Sequence, residues 1–134
     1  MVIQKNIELK DFTTLKVGGP AKQFAVVKSK DELQELFKDF TNSKVTVIGG
    51  GSNILVPDEG LEGLVVKNDI EGFSFEKQDD EVLLKVGAGE VLDDVIARCV
   101  DLGFWGLENL SSIPGSIGAT PVQNVGAYGV EVSD

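Results

Sequence analysis

The sequence predicts an α+β protein of mixed architecture, in which a small parallel βαβ unit is followed by antiparallel strands and a helix. Two observations predict this class. Between Phe24 and Ile48 a strand pattern, a helix pattern and a second strand pattern follow one another, and strands linked through a helix are usually parallel. Between Phe73 and Val86 two apolar runs flank a short polar turn, which is typical of an antiparallel hairpin.

Three short apolar runs supply the predicted strands of the first unit. They are Phe24 to Val27, Val45 to Ile48 and Leu64 to Val66. The first two runs are expected to form a right-handed parallel crossover. The polar residues Lys67 to Asp69 then mark a boundary. We therefore predict a first subdomain of residues 1–67 and a second subdomain of residues 68–134.

A helix between the first two strands is predicted by its start signal and by its periodicity. Ser29, with Glu32 three positions later, forms a capping box, and residues 41–43 end the helix. Apolar residues at positions i, i+3, i+4 and i+7 lie on one stripe of a helix. The predicted stripe consists of Leu33, Leu36, Phe37 and Phe40.

The second unit begins with a predicted hairpin whose strands are Phe73 to Lys77 and Val82 to Val86. A second helix is predicted from Glu90, with Gly103 as its left-handed C-terminal cap. Trp105 is interpreted as a core residue, because an indole ring buries a large area. The apolar face of the helix is predicted to hold Leu92, Val95, Ile96 and Cys99.

Composition restricts the functions open to this chain of 134 residues. With 12 Lys and Arg against 22 Asp and Glu its formal charge is −10, so nucleic acid is not an expected partner. The chain contains no His, which removes the commonest general base and metal ligand, and no metal site is expected. A single Cys suits a reducing compartment, and residues 1–10 contain no apolar signal core. We expect a cytoplasmic protein without a membrane partner.

A glycine run directly after the second predicted strand is a candidate cradle for phosphate. The segment Gly49 to Asn53 begins with three glycines, which have no side chains, so successive backbone N–H groups can approach anionic oxygens. No Lys follows the glycines as it would in a nucleotide-triphosphate loop. Ile54 to Pro57 stands where a Rossmann motif would continue as a helix. The alternative is a tight turn that only ends the strand.

A second candidate segment runs from Ile113 to Gly129 and is long for a loop inside a compact domain. Its hydroxyls and amides could bond the edge of a flat ring, while its glycines admit the face of the ring. The alternative is a buried irregular loop satisfied by its own amides. Because the chain is acidic, the two segments together favour a buried dinucleotide held by neutral amide dipoles. The candidate residues are Ile113, Pro114, Gly115, Ser116, Gly118, Ala119, Thr120, Gln123, Asn124, Gly126, Ala127 and Tyr128.

Four segments of the chain carry a family resemblance. They are FTTLKVGGPA (Phe12 to Ala21), VIGGGSNILV (Val47 to Val56), VGAGEVLDDV (Val86 to Val95) and GLENLSSIPGSIGATPVQNVGAYGVE (Gly106 to Glu131). In this order and spacing they resemble the UDP-N-acetylenolpyruvoylglucosamine reductases, also called UDP-N-acetylmuramate dehydrogenases, of bacterial cell-wall synthesis. The resemblance implies an FAD-binding fold of the vanillyl-alcohol-oxidase kind.

The resemblance also implies where FAD binds. The pyrophosphate is expected at Gly49, Gly50, Gly51, Ser52, Asn53 and Ile54. The stretch from Ile113 to Gly129 is expected to line the ribityl chain and the isoalloxazine. Some relatives with this fold attach the flavin through a His. Since this chain has none, its FAD is expected to be noncovalent.

The implied activity is that of a flavin-dependent oxidoreductase of peptidoglycan synthesis. In the family, NADPH reduces the flavin, and the enolpyruvyl group of UDP-N-acetylglucosamine enolpyruvate is then reduced to give UDP-N-acetylmuramate. The family's catalytic Ser or Cys, Arg and Glu, and its substrate domain, correspond to positions beyond Asp134. No catalytic residue is therefore assigned, and we expect a C-terminally truncated FAD-binding portion that is inactive alone.

Two other functions remain open at this point. The chain could be a noncatalytic nucleotide-binding or assembly module of the same fold, or part of an enzyme that another chain completes. In each case an exposed sheet edge would favour self-association.

Overall fold

A computed structural model describes residues 1–41 and 43–133, and the chain divides into two compact units, Met1–Ile70 and Glu71–Asp134. The sequence placed the boundary after Lys67. The predicted α+β class agrees with the observed elements, which are a mixed sheet with one helix in the first unit and antiparallel pairs with one helix in the second. In the described residues no helix is both long and apolar enough to cross a membrane.

The first unit is built on a four-stranded sheet. Its strands are β1 (Ile3–Glu8), β2 (Pro20–Val27), β3 (Val45–Ile48) and β4 (Leu61–Asn68), in the spatial order β1-β2-β4-β3. β1 is antiparallel to β2, whereas β2 and β3 each pair with β4 in parallel. The predicted parallel relation of β2 and β3 is therefore confirmed. They are not neighbours, however, because β4 lies between them.

β1 was not predicted from the sequence. Its side chains are exposed except at Ile7, which is half-buried and packs against the core beside Leu9. An edge strand that buries so little apolar surface leaves only a weak alternation of apolar and polar residues. Leu9 begins a short 3-10 turn, Leu9–Phe12, which follows β1 and returns the chain toward β2.

The helix of the first unit is α1 (Lys30–Asp39), and its capping box is confirmed. The Ser29 hydroxyl oxygen accepts a hydrogen bond from the Glu32 N–H at 3.1 Å. The Glu32 carboxylate in turn accepts from the Lys28 N–H at 2.7 Å, one residue before the cap itself. Both bonds satisfy donors at the start of the helix, where no intrahelical acceptors exist.

The apolar stripe of α1 faces the sheet, with one exception. Leu36 is buried, and Leu33 and Phe40 pack against the same core cluster, whereas Phe37 is 41% exposed. At 100° per residue Leu36 and Phe37 lie at opposite edges of the stripe, and the sheet covers the Leu36 edge. Of the residues predicted to end the helix, Asn42 lies outside the described part of the chain.

The central strands β2 and β4 bury side chains on both faces of the sheet. On one face the buried cluster is Leu9, Ala21, Phe24, Ile48, Val56 and Val65. On the other face, which α1 covers, it is Ala25, Val27, Leu36, Leu64 and Val66. A strand buried on both faces has a continuous apolar sequence, which is why these strands were recognisable.

The second unit begins with a hairpin of β5 (Phe73–Gln78) and β6 (Glu81–Val86), as predicted. Its helix, α2 (Leu92–Asp101), begins after Glu90, because Val91 is still extended. The predicted face of α2 is buried, and Gly103 follows the helix with φ +75°, as its C-terminal cap requires. The Arg98 guanidinium lies 4.1 Å from the centre of the Phe73 ring and joins α2 to the hairpin.

Trp105 was expected in the core, and this was wrong, since its side chain is 90% exposed. Phe104 takes the inner position and packs edge-on against Phe75, with ring centres 4.9 Å apart. The chain then turns at Gly106, which has φ +117°. One aromatic ring therefore anchors this turn, and the indole next to it faces solvent. Cys99, by contrast, is buried as predicted, and its loss of hydration raises the pKa of the thiol.

Candidate functional site

The glycine segment Gly49 to Asn53 begins immediately after β3. Gly51 is buried and has φ +70°. A Cβ atom at this position would lie 1.9 Å from the carbonyl oxygen of Phe12, closer than any real side chain approaches. The Gly51 carbonyl accepts a hydrogen bond from the Thr14 N–H at 3.0 Å. Packing within the first unit therefore accounts for Gly51 without a ligand.

The other glycines of this segment are more accessible. Gly49 is half-buried and Gly50 is exposed. Ser52 and Asn53 have contacts of their own within the chain, and Ile54 packs against the core. Gly50 is therefore the position where a ligand can approach the backbone most freely.

A neighbouring motif holds this segment in place. The Gly19 N–H donates to the carbonyl oxygen of Pro57 at 2.9 Å, just downstream of the glycine run. At its centre, the segment is held by the contact between Gly51 and Phe12 described above. The first motif of the family resemblance is thus packed against the second, and its contacts hold the turn at its centre and just downstream.

The second candidate segment, residues 113–129, is more regular than a loop. It contains a 3-10 turn, Ile117–Ala119, and the short strand β7 (Gly126–Ala127), which pairs with β8 (Val130–Glu131). Three backbone hydrogen bonds join this segment to the residues at and just before the start of α2. They run from Leu92 N–H to Gly115 O at 3.0 Å, from Ile117 N–H to Glu90 O at 2.8 Å and from Gly118 N–H to Ala88 O at 2.9 Å.

Ser116 lies in the middle of this paired stretch and is 4% exposed. Its hydroxyl has no hydrogen-bond partner among the residues that the structure describes. A buried polar group without a partner costs about 1–3 kcal/mol. The other buried hydroxyl of the segment, on Thr120, donates to the Ile117 carbonyl at 2.8 Å. Of these two buried hydroxyls, that of Ser116 is therefore the one without a partner within the described chain.

The amides of the segment have structural partners. Asn124, which has φ +45°, donates from Nδ2 to the Glu131 carboxylate at 2.6 Å and accepts from the Ser133 N–H at 3.2 Å. Gln123 also has a contact within the chain. For Asn124 the alternative interpretation, a loop satisfied by its own amides, is the one that the geometry supports.

Tyr128 stands at the tip of the β7–β8 hairpin and is 91% exposed. It has φ +55° and the following Gly129 has φ +81°, the backbone of a tight two-residue turn between the paired residues Ala127 and Val130. Non-glycine residues rarely adopt this conformation. The hairpin therefore presents its phenol ring to solvent on a constrained backbone.

Asp93, in the first turn of α2, was not singled out from the sequence. Its Oδ1 accepts hydrogen bonds from the Ser112 N–H at 2.7 Å and from the Ser111 hydroxyl at 2.9 Å. These two bonds, the first more than the second, hold the pKa of the Asp93 carboxyl below its ordinary value. Acidic residues are common in first helical turns, so the sequence carried no signal for this specific contact.

A cleft of about 520 Å³ lies elsewhere in the second unit, between β6, the end of α2 and the turn around Trp105. Its lining residues include Asp80, Glu81 and Glu108. The Glu108 backbone and the Gly106 N–H hydrogen-bond to the Glu108 carboxylate and lower its pKa. This cleft does not include the residues predicted to bind a ligand. In the described residues no cluster of three or more His, Cys, Asp or Glu is arranged for a metal ion.

Comparison with known proteins agrees with the resemblance seen in the sequence. Residues 21–134 match a family model described as an FAD binding domain. The chain is 48% identical, over 132 residues, to a UDP-N-acetylenolpyruvoylglucosamine reductase of Thermobifida fusca, a match that covers 96% of this chain and 37% of that relative. It is 43% identical, over 135 residues, to a protein of the same name from Flavobacterium johnsoniae, covering 100% of this chain and 40% of the relative.

A solved structure extends this likeness to the fold. The crystal structure of UDP-N-acetylenolpyruvylglucosamine reductase from Thermus caldophilus matches the chain with a TM-score of 0.77 and 33% identity, over 100% of this chain and 46% of that one. The predicted fold class and the family resemblance are confirmed by these matches. The chain spans 37% and 40% of the length of the two relatives described above.

Proposed function

Because this chain belongs to the FAD binding domain family, we propose that it binds FAD noncovalently through its two candidate segments. The observation that carries the proposal is the Ser116 hydroxyl, which is buried without a partner among the described residues. A native protein seldom leaves a buried hydroxyl unsatisfied unless a water or a ligand completes it. The ribityl hydroxyls, the phosphates and the ring edge of FAD all offer suitable partners.

In the first unit the proposed contact is made by backbone. Gly50 is exposed and precedes Gly51, which is held against Phe12, so the backbone at Gly50 is anchored on one side and carries no side chain of its own. We propose that Gly49, Gly50, Ser52, Asn53 and Ile54 contact the pyrophosphate, while Gly51 gives the turn its shape. Backbone dipoles suit an anion in a chain whose net charge is −10.

In the second unit we propose that Ser116 contacts the flavin part of FAD, together with the backbone around it. Paired strand-like backbone on one side and the 3-10 turn on the other hold this residue rigidly. A fixed donor or acceptor loses little entropy when a ligand binds. Two of the further proposed contacts, Thr120 and Asn124, also hold the segment together through their own hydrogen bonds. The further proposed contacts are Ile113, Pro114, Gly115, Gly118, Ala119, Thr120, Gln123, Asn124, Gly126, Ala127 and Tyr128.

For the whole protein we propose the activity that its relatives' name states, the reduction of UDP-N-acetylenolpyruvoylglucosamine. Bound FAD would carry hydride from NADPH to the enolpyruvyl group of this UDP-sugar. The residues of this chain bind and orient the cofactor, and none is proposed as catalytic. A cytoplasmic location and a role in cell shape and division, which follow from peptidoglycan synthesis, are part of the same proposal.

Titration with FAD, followed by flavin absorbance and fluorescence, tests the proposal. We expect the chain to bind FAD and Ser116→Ala to weaken binding about threefold to tenfold, the value of one ordinary hydrogen bond. Without FAD, Ser116→Ala should unfold at the same or a higher denaturant concentration than the unaltered chain, because it removes an unsatisfied buried hydroxyl. A fully structural serine would give the opposite result.

Ser74→Ala is the matched control, since Ser74 is an exposed serine of the same unit. It should change neither FAD affinity nor stability. Absence of FAD binding by the unaltered chain would reject the proposed function. Equal affinity in the unaltered and Ser116→Ala chains would reject the assignment of Ser116.

We also propose self-association through an edge of the β5–β6 sheet. In the described residues each of these strands pairs with one other strand, which leaves an edge with open backbone groups. Repulsion between copies with a charge of −10 should make association increase with salt. Sedimentation velocity at low and high salt tests this, with Leu83→Lys expected to weaken association because Leu83 is an exposed residue of β6. A monomer under all these conditions would contradict the proposal.

A further inference from the structure

Asp93 holds the chain that leads to Ser116. Its Oδ1 accepts from the Ser112 N–H at 2.7 Å and from the Ser111 hydroxyl at 2.9 Å. Ser112 has φ +65°, a conformation that a serine rarely adopts unless the surrounding contacts impose it. The carboxylate therefore fixes a bend four residues before Ser116.

Residues at the N-terminal end of α2 also hold the other end of this stretch, at Gly115 and Ser116. The N–H of Leu92, next to Asp93, donates to the Gly115 carbonyl at 3.0 Å, and Val91 forms a β-bridge with Ser116. Three consecutive residues at the start of α2 thus hold both ends of residues 111–116. The backbone bonds that frame this bridge, from Leu92 N–H to Gly115 O and from Ile117 N–H to Glu90 O, do not depend on side-chain chemistry. The bond from Asp93 does, so it is the contact that a substitution can remove.

We propose that Asp93 is a positioning residue for FAD, which sets the place of the Ser116 hydroxyl by holding Ser111 and Ser112. This inference rests on the proposed function. Asp93 does not itself contact the cofactor. Its carboxylate orders residues 111–116 before FAD arrives, so that binding does not have to order them, and an ordered site binds more tightly.

The adjacent Asp94 makes a comparison possible. It is an exposed carboxylate in the same helical turn, with the same charge and nearly the same distance from the helix N-terminus. Any effect of removing negative charge from this turn should therefore appear in Asp94→Ala as well. An effect confined to Asp93 must come from its bonds to Ser111 and Ser112.

The experiment compares Asp93→Ala, Asp93→Asn and Asp94→Ala in the chain as it exists. The amide oxygen of Asn keeps the shape of the carboxylate and can still accept from the Ser112 N–H, so Asp93→Asn serves as the conservative rescue. Without FAD, amide hydrogen exchange at residues 112–118 should be faster in Asp93→Ala, near normal in Asp93→Asn and unchanged in Asp94→Ala. Unchanged exchange in Asp93→Ala would overturn the inference.

With FAD, we expect Asp93→Ala to raise the Kd about tenfold and to alter the visible circular dichroism of bound flavin, while Asp93→Asn stays within about threefold. The decisive measurement is the double variant. If Asp93 acts through Ser116, Asp93→Ala should weaken FAD binding much less in a Ser116→Ala background than in the unaltered one. Full additivity would show an independent structural role and overturn the inference.

The outcomes separate the inference from the proposed function on which it rests. If the unaltered chain does not bind FAD, the proposed function fails, and with it the role of Asp93 toward the cofactor. If the unaltered chain binds FAD and Asp93→Ala binds it equally well, only the positioning role fails.

Discussion

A Cβ atom on Gly51 would lie 1.9 Å from the carbonyl oxygen of Phe12. These two residues belong to different motifs of the chain, yet their backbones touch at a distance that only a glycine allows. The contact joins the turn after β3 to the 3-10 turn after β1. The shape of the candidate pyrophosphate site in the first unit thus depends on a segment far from it in sequence.

Gly51→Ala should destabilise the first unit strongly. The new methyl group would overlap the Phe12 carbonyl, and φ +70° is unfavourable for alanine. We expect the free energy of unfolding to fall by at least about 2 kcal/mol, measured by urea denaturation. Gly50→Ala, at an exposed neighbour, is the control and should have a small effect. Equal midpoints for the two variants would contradict the packing argument.

Gly50→Val should affect FAD and leave the fold intact. A branched side chain at the exposed glycine would stand between the backbone N–H groups and the pyrophosphate. We expect FAD affinity to fall at least about tenfold, with an unchanged far-ultraviolet circular dichroism spectrum. Retention of normal affinity in a folded variant would reject the assignment of this turn to the pyrophosphate.

Ser29→Ala should weaken the start of α1. The serine hydroxyl accepts from the Glu32 N–H, and loss of an N-cap usually costs about 1 kcal/mol. Thermal or urea unfolding measures the change. Ser43→Ala, at an exposed serine after the helix, is the matched control and should unfold like the unaltered chain. If both variants behaved alike, the cap would contribute nothing.

Asp93 should make stability depend on pH in the acid range. Its pKa is lowered from the ordinary 3.8, because the Ser112 N–H and the Ser111 hydroxyl bond to the charged form. A lowered folded-state pKa stabilises the protein at pH values above 3.8, and this contribution is lost as the pH falls through the folded-state pKa. The stability advantage of the unaltered chain over Asp93→Asn should therefore be full at neutral pH and vanish in strong acid.

The pKa of a second carboxyl is also lowered, so the comparison of stability against pH needs a control. The pKa of Glu108 is also lowered, by hydrogen bonds from its own backbone and from Gly106. The control compares the Glu108→Gln variant with the double variant Glu108→Gln, Asp93→Asn. The pH-dependent difference in their stability should persist. Its disappearance would assign the pH dependence to Glu108 instead.

Trp105, the only tryptophan, should report a hydrated indole. We expect its fluorescence emission to be that of a water-exposed ring, with little change in wavelength on unfolding and ready quenching by acrylamide. Trp105→Ala should change the free energy of unfolding by less than about 0.5 kcal/mol. Phe104→Ala should cost at least about 1 kcal/mol, because Phe104 packs edge-on against Phe75. Blue-shifted emission from the folded chain would contradict the exposed position.

The predictable part of the fold is the part whose burial leaves a periodic sequence. α1 and α2 were found from apolar stripes and caps, and β4 from an apolar run, because these elements face the cores. β1 was missed because an exposed edge strand buries little. The position of β4 between β2 and β3 could not be read from the sequence, since pairing order depends on contacts between residues far apart in the chain.

For the candidate site, residue types indicated the segments and the structure distinguished the residues within them. Ser116 and Thr120 look equivalent in the sequence, but only Thr120 has its hydroxyl bonded within the described chain. Trp105 was misjudged because the average burial of indole rings does not reveal which of two neighbouring aromatic residues turns inward. Which side chain points inward could not be predicted here, because a short turn bounded by glycines has no regular repeat of apolar residues.

β4, one of the two central strands of the first sheet, is also the last of its four strands to be made. During synthesis, β2 and β3 leave the ribosome without the neighbour that each of them pairs with in parallel. The nascent chain must keep these apolar strands from other partners until Asn68 has emerged, and only then can the sheet close in one step. Translational pausing before Asn68 has emerged should therefore prolong the interval in which β2 and β3 lack β4 as a neighbour.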